Sequence, residues 1–235
     1  SSMTLKKNNS FEVSKGLFQC RSTLLKINEL NLPIATEFIT PHIHHYFSDL
    51  VSWGCIGART IESQPHRELA SGLNMPIGFK NSTRGNIEHA INAISTANKG
   101  QVIITHNDEN NIGIIKTKGN PCPHLVLRGG YWTDNFNKSV IRNTKKRLIN
   151  ANQNTGIIVD CSHDNSSKTA LKQLQNIKLL TPQLAQTDNI IAGLMIESYL
   201  HAGKQKYSGN SIPGISITDE CLSWEQTESA LKQLN

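Results

Sequence analysis

Short apolar runs that each close on a charged or imidazole side chain recur along this chain, with helical patterns between them. Cys55-Ile-Gly-Ala-Arg59, Met75-Pro-Ile-Gly-Phe-Lys80 and Leu125-Val-Leu-Arg128 end on cations. Gly156-Ile-Ile-Val-Asp-Cys-Ser-His163, Ile190-Ile-Ala-Gly-Leu-Met-Ile-Glu197 and Ser216-Ile-Thr-Asp219 end on metal-type ligands. Runs this short and continuous suit strands buried on both faces. Strands alternating with helices pair in parallel, because each crossover returns the chain to the same edge direction. The pattern predicts six main strands in an α/β fold of the parallel barrel type. Such a fold builds its site from groups at strand C-terminal ends.

The helices follow from periodicity. Val13, Leu17, Cys20, Leu24 and Ile27 recur at helical spacing and predict a helix over about 10–30. Pro41 can open a second helix running to about Trp53. Shorter helices are expected around His66–Gly72 and Ile87–Ile94, with longer ones over 134–150 and 166–186 and a last one from Trp224. Residues 101–117 break the alternation. Two β-rich runs flank Asn107-Asp-Glu-Asn-Asn111, which predicts an inserted hairpin. Residues 10–235 read as a single domain behind a tail, 1–9. Ser1-Ser2 ahead of Met3 reads as the remnant of an expression tag.

Bulk properties narrow the partners. A net charge of +6 admits an anionic ligand. The basic residues are spread out, and Lys145-Lys146-Arg147, the tight cluster, lies in a helical pattern, so a solvated face is expected and no nucleic-acid partner. Five scattered cysteines without a Cys-x-x-Cys pair suggest a reducing, cytoplasmic setting. No apolar stretch reaches membrane-spanning length, so no membrane partner is expected.

His163, Glu197 and Asp219 offer one imidazole and two carboxylates, a set suited to Mn²⁺, Fe²⁺, Co²⁺ or Zn²⁺. The plainer alternative is a hydrogen-bonded histidine and two helix-capping acids. Cys161 precedes His163 by two residues and is expected to pack rather than ligate. Arg59, Lys80 and Arg128 could hold a phosphate. One cation and one phosphate charge about 4 Å apart attract by roughly 4 kcal/mol at an effective dielectric near 20. Three such cations would repel one another unless an anion or interleaved acids intervened, and Glu37 and Glu62 are available. The alternative is pairing of each cation with a neighbouring acid. Gly129-Gly130 would let backbone approach a ligand. His42, His44 and His45 read as surface histidines.

These residues carry a family resemblance. Ile56-Gly-Ala-Arg-Thr-Ile-Glu-Ser-Gln-Pro-His-Arg-Glu-Leu-Ala-Ser-Gly-Leu73 closely resembles the type I 3-deoxy-D-arabino-heptulosonate 7-phosphate (DAHP) synthases. So do Gly78-Phe-Lys-Asn81, Leu127-Arg-Gly-Gly130, Ser162-His-Asp-Asn-Ser-Ser-Lys168, Glu197-Ser198 and Ser216-Ile-Thr-Asp-Glu-Cys-Leu-Ser-Trp-Glu225, in family order. The resemblance implies a (β/α)₈ barrel enzyme at the first step of the shikimate pathway to aromatic amino acids. It would condense phosphoenolpyruvate with erythrose 4-phosphate and water, yielding DAHP and phosphate. It implies that Arg59, Lys80 and Arg128 bind phosphoenolpyruvate, with Glu37 nearby. It implies His163, Glu197 and Asp219 as three of four ligands to a divalent metal, and Lys80 and His163 as catalytic groups.

The resemblance also marks departures. Two earlier family strands are absent, with a Gly-Pro-Cys-Ser motif that gives the fourth metal ligand and a Lys-Pro-Arg-Thr loop that holds substrate. The arm associated with feedback inhibition is absent too. Ile61, Pro65 and Asp164 differ within otherwise matching motifs. Six strands cannot close the barrel, so Ile34–Phe38 and Ile191–Glu197 are expected as open edges. The expectation is a chain that is poorly active alone, holds metal weakly, and self-associates or pairs with a separate N-terminal fragment. The alternative is a non-catalytic homologue that binds phosphate ligands or a protein.

Overall fold

The computed structural model describes residues 12–106, 111–131, 133–153, 155–184 and 190–234. In chain order it contains α1 (Val13–Glu29), β1 (Ala35–Glu37), β2 (Trp53–Ile56), α2 (Gln64–Gly72), β3 (Ile77–Lys80) and α3 (Glu88–Ala97). A hairpin follows, β4 (Val102–His106) and β5 (Ile112–Lys116). Then come β6 (Pro123–Leu127), α4 (Lys138–Asn150), β7 (Ile157–Asp160), α5 (Ala170–Leu184), β8 (Ile191–Met195) and α6 (Trp224–Lys232). Hydrogen bonding orders the main sheet β1-β2-β3-β6-β7-β8, with β4-β5 as a separate antiparallel pair. Strands that follow sequence order in a parallel sheet are the wall of a (β/α) barrel, here with six of eight strands. The order ends on β1 and β8, the two edges expected from the sequence. The hairpin is present as expected, though most of its turn, 107–110, lies outside the described residues.

The chain divides into two compact units, residues 1–79 with 96–123 and residues 80–95 with 124–235. In the first, β1 and β2 run parallel with Ala35 opposite Trp53 and Glu37 opposite Cys55. Phe38, Ile56, Ile61 and Ile77 are fully buried there. A Cβ on Gly54 would run into the Phe38 ring and Ile77, so that glycine makes room for them. The Asn120 amide donates to the carbonyls of Ala70, Leu73 and Met75, at 3.2, 3.0 and 2.9 Å, and ties down the end of α2.

The helix expected from Pro41 to Trp53 is not there. Pro41 does open a helical turn at its first position, but the segment is two short 3₁₀ helices, Pro41–Tyr46 and Ser48–Leu50. Phe47 breaks them at φ −152° and stacks on Phe38, ring centroids 5.9 Å apart. Stacking that ring on the buried Phe38 outweighs a few helical hydrogen bonds.

In the second unit, β6, β7 and β8 are parallel, with Leu125 opposite Ile157 and Asp160 opposite Met195. Leu125, Leu127, Leu148, Ile157, Ile177 and Leu180 form its buried centre. Asn137 caps α4 by accepting from Val140 N at 3.0 Å. Ser223 and Gln226 form a reciprocal capping box on α6.

β3 runs through Lys80, but β2, β6, β7 and β8 stop short of Arg59, Arg128, His163 and Glu197. β7 ends at Asp160 because the Asp160 carboxylate accepts from Ser162 N at 2.9 Å, an Asx turn that captures the next ladder donor. His163 then opens a 3₁₀ turn, His163–Ser166, with φ 44°. Asp219 is not at a strand end either. Its segment, too short and polar for a strand, is held by isolated bridges of Lys204 to Ser216 and Gly203 to Cys221.

Candidate metal centre and oxyanion site

The second unit brings most of the singled-out residues together. His163, Glu197 and Asp219 each offer one ligand atom, and these atoms lie within 4.8 Å of one another. His163 Nε2 stands 3.6 Å from Glu197 Oε1. Two ligands about 2.1 Å from one ion at a tetrahedral angle would stand roughly 3.4 Å apart. All three side chains are half-buried.

Glu197 and His163 each have a local reason for their place. Glu197 follows β8 and is pinned from α5, where Gln173 accepts from Glu197 N at 2.8 Å and donates to Glu197 O at 3.1 Å. Its carboxylate accepts from the Ser162 hydroxyl. His163 Nδ1 lies 2.7 Å from Asp160 Oδ2, a close contact that misses good hydrogen-bond alignment. A carboxylate beside Nδ1 favours the proton there and leaves Nε2, which faces Glu197, to ligate. The donor set therefore fits a borderline divalent cation.

The site's electrostatics agree. Burial raises the Glu197 carboxyl above its ordinary range, against opposing pulls from His163 and the Ser162 hydroxyl. Burial alone would lower His163, but the adjacent negative charge of the Asp160 carboxylate outweighs it, and the imidazole is raised overall. The His163 shift reflects the negative charge beside it, and the Glu197 shift reflects its burial. A bound cation would reverse both.

Asp160 also faces the cations. Its Oδ2 lies 3.8 Å from Lys80 Nζ at the end of β3, and the pair is almost completely buried. Arg128, just past β6, is buried as well and donates from Nη1 to Asp164 Oδ2 at 2.6 Å. The sequence pointed to Glu37 and Glu62 as the interleaved acids. Within the second unit, Asp160 and Asp164 are acids that stand beside Lys80 and Arg128. Asp160 was missed because it reads as the interior of an apolar run, although an acid in such a run is itself the available signal.

Gly129-Gly130 also makes room for the protein's own backbone. Gly129 has φ 74°, and a Cβ there would stand 2.6 Å from Asn165 N. A Cβ on Gly130 would strike the Gly85 backbone. The close approach is between two stretches of this protein's own backbone. Asn81, Asn135 and Asn165 knit them together. Asn81 donates to Gly129 O at 2.9 Å and accepts from Arg128 N at 2.9 Å, and Asn165 accepts from Asn135 N at 2.9 Å.

Cys161 packs, as expected. It is fully buried, and burial, with Asp160 beside it, pushes its thiol up to about 12. No disulfide links any described cysteine. Glu37 and Arg59 belong to the first unit, with both side chains exposed. Gly57 leaves room for the Glu37 carboxylate, which a Cβ would overlap. Of the histidine group, His42 and His45 are exposed, but His44 is partly buried, correcting the surface reading. No described helix is long and apolar enough to cross a membrane.

A helix-connected parallel sheet with charged side chains at or just beyond the strand C-terminal ends defines an α/β-barrel protein with its site at that end. The chain matches the DAHP synthetase I family over residues 3–232, and it belongs to that family. It is 39% identical over 231 residues to the Tyr-sensitive phospho-2-dehydro-3-deoxyheptonate aldolase of Escherichia coli, covering 97% of this chain and 65% of that protein. It is 43% identical over 229 residues to the Trp-sensitive enzyme of Buchnera aphidicola, again 97% of this chain and 66% of that protein. The solved structure of a phospho-2-dehydro-3-deoxyheptonate aldolase from Francisella tularensis superposes with a TM-score of 0.91 at 40% identity, covering 96% of this chain and 66% of that one. The chain thus spans just under two thirds of the length of these relatives.

Proposed function

We propose that this chain carries the metal-ligand and phosphate-binding part of a DAHP synthase, which joins phosphoenolpyruvate to erythrose 4-phosphate and releases phosphate. The observation that carries the reading is Asp160, one buried carboxylate between Lys80 at 3.8 Å and His163 at 2.7 Å. It couples a phosphate-type cation to a metal-type ligand within one unit.

In this reading Lys80 and Arg128 bind phosphoenolpyruvate through its anionic groups and fix its orientation. The family resemblance supports Arg59 as a further ligand and Glu37 as the group that orients a water. Carbon C3 of phosphoenolpyruvate bonds to the aldehyde carbon of erythrose 4-phosphate, water adds at C2, and the C2–oxygen bond to phosphate is lost with the phosphate. A divalent cation held by His163, Glu197 and Asp219, one of Mn²⁺, Fe²⁺, Co²⁺ or Zn²⁺, would supply Lewis-acid polarisation of the aldehyde oxygen. Asp160 holds His163 in the ligating tautomer. Lys80, beside the same carboxylate, stands ready to hold or give a proton near the reacting atoms.

The Gly-Pro-Cys-Ser and Lys-Pro-Arg-Thr motifs do not occur in these 235 residues. We therefore expect the chain alone to bind phosphoenolpyruvate and turn over slowly. Calorimetric titration with phosphoenolpyruvate in the presence of Mn²⁺ tests the first point, and Lys80→Met should weaken binding. Phosphate release with both substrates tests the second. Absence of phosphoenolpyruvate binding would defeat the reading.

A further inference from the structure

Arg128 and Asp164 form a buried ion pair, with side chains 6% and 9% exposed. Asp164 is carried on a turn that is held from several sides. The next residue, Asn165, donates to Leu127 O at 3.1 Å and Asp160 O at 2.8 Å. Asn176 of α5 donates to Asn165 O at 3.0 Å. Gly129 leaves space for the same turn, since a Cβ would stand 2.8 Å from the Asp164 carbonyl carbon. The carboxylate is thus presented to Arg128 by fixed backbone, not by a flexible surface chain.

The contact uses one guanidinium nitrogen, Nη1. Arginine offers five N–H donors in a planar fork, and oxyanions use it best through two at once. A carboxylate on one prong removes that donor from an incoming anion. It also places a negative charge beside the anion in a buried setting, where salt screens poorly.

We propose that Asp164 is a built-in competitor at Arg128, a carboxylate that holds the guanidinium in the unliganded chain and lowers its affinity for phosphate-bearing ligands. The inference rests on the reading of Arg128 as an oxyanion ligand. A residue that merely positions Arg128 would act with the opposite sign. Loss of a competitor tightens anion binding, whereas loss of a positioning group loosens it.

The test is calorimetric titration of the full chain with inorganic phosphate, using wild type, Asp164→Ala, Asp164→Asn and Arg128→Gln. Asp164→Asn keeps an acceptor for Nη1 and guards against misfolding from an unpaired buried arginine. Both Asp164 variants should bind phosphate more tightly, on the order of tenfold. The phosphate-induced rise in Tm should be larger in both than in wild type, an independent readout that follows from linkage. Equal or weaker binding in both variants overturns the proposal. So does weaker binding in Asp164→Ala with unchanged binding in Asp164→Asn, the signature of a positioning residue. If Arg128→Gln leaves phosphate binding of the otherwise wild-type chain unchanged, the Arg128 reading itself fails, and that failure is visible separately from the Asp164 results.

Discussion

Asp160 Oδ2 stands 2.7 Å from His163 Nδ1, and both atoms are buried. The same oxygen is 3.8 Å from Lys80 Nζ. One carboxylate that is completely shielded from solvent thus sets the imidazole's orientation and offsets a lysine's charge. Substituting it should therefore disturb metal and anion binding together.

Asp160→Asn should weaken divalent metal binding about 10- to 100-fold, the usual effect of losing a carboxylate behind a ligating histidine. Mn²⁺ titration followed by electron paramagnetic resonance reads this directly. Unchanged metal affinity would show that Asp160 does not support His163.

Lys80→Met should lower phosphoenolpyruvate affinity by at least tenfold, given an attraction of a few kcal/mol in a partly screened site. Metal affinity should change much less, because Asp160 keeps its contact with His163. Equal losses in both titrations would mean that Lys80 acts on the site as a whole and not on the anion.

Gly129→Ala should destabilise the chain by about 1–3 kcal/mol, because alanine is strained at φ 74° and its Cβ would meet Asn165 N. Urea unfolding checks it. A stability within about 0.5 kcal/mol of wild type, the range of neutral surface changes, would contradict the close approach.

His44 gives a pH dependence. Burial, together with the charges of His45 and His42, lowers its pKa from 6.5 to about 4. Between those values the unfolded chain binds a proton that the folded chain refuses. Its contribution is therefore full above pH 6.5 and is lost as pH falls toward 4. Partial solvent exposure limits the loss to on the order of 1 kcal/mol. The difference in Tm between wild type and His44→Asn, followed from pH 8 to pH 4, should change in that window. A constant difference would exclude the effect.

The sheet order ends on β1 and β8. We expect strand edges of this kind to pair with another chain, so size-exclusion chromatography with light scattering should find assemblies larger than one 26.0 kDa chain. A single monomer peak across concentrations would rule out stable pairing between copies.

Much of this protein is legible in its sequence, because parallel α/β architecture writes itself as buried apolar runs between periodic helices. The runs ending at Lys80, Arg128, His163 and Glu197 located the strands and named the residues beside the site. Pattern could not resolve where each strand stops. The Asp160 side chain captures Ser162 N, ends β7 early, and turns His163 into a left-handed conformation. Nor could it separate a helix from the 3₁₀ turns at 41–50, since Phe47 is drawn off by Phe38, nine residues earlier in the chain. The sequence by itself determined the strand–helix order and the identity of the metal-type and cationic residues. The tertiary structure alone decided that Asp160 lies beside Lys80 and Asp164 beside Arg128. Charge pairing depends on distances of a few ångströms across separate strands and turns, and spacing along the chain does not carry that information.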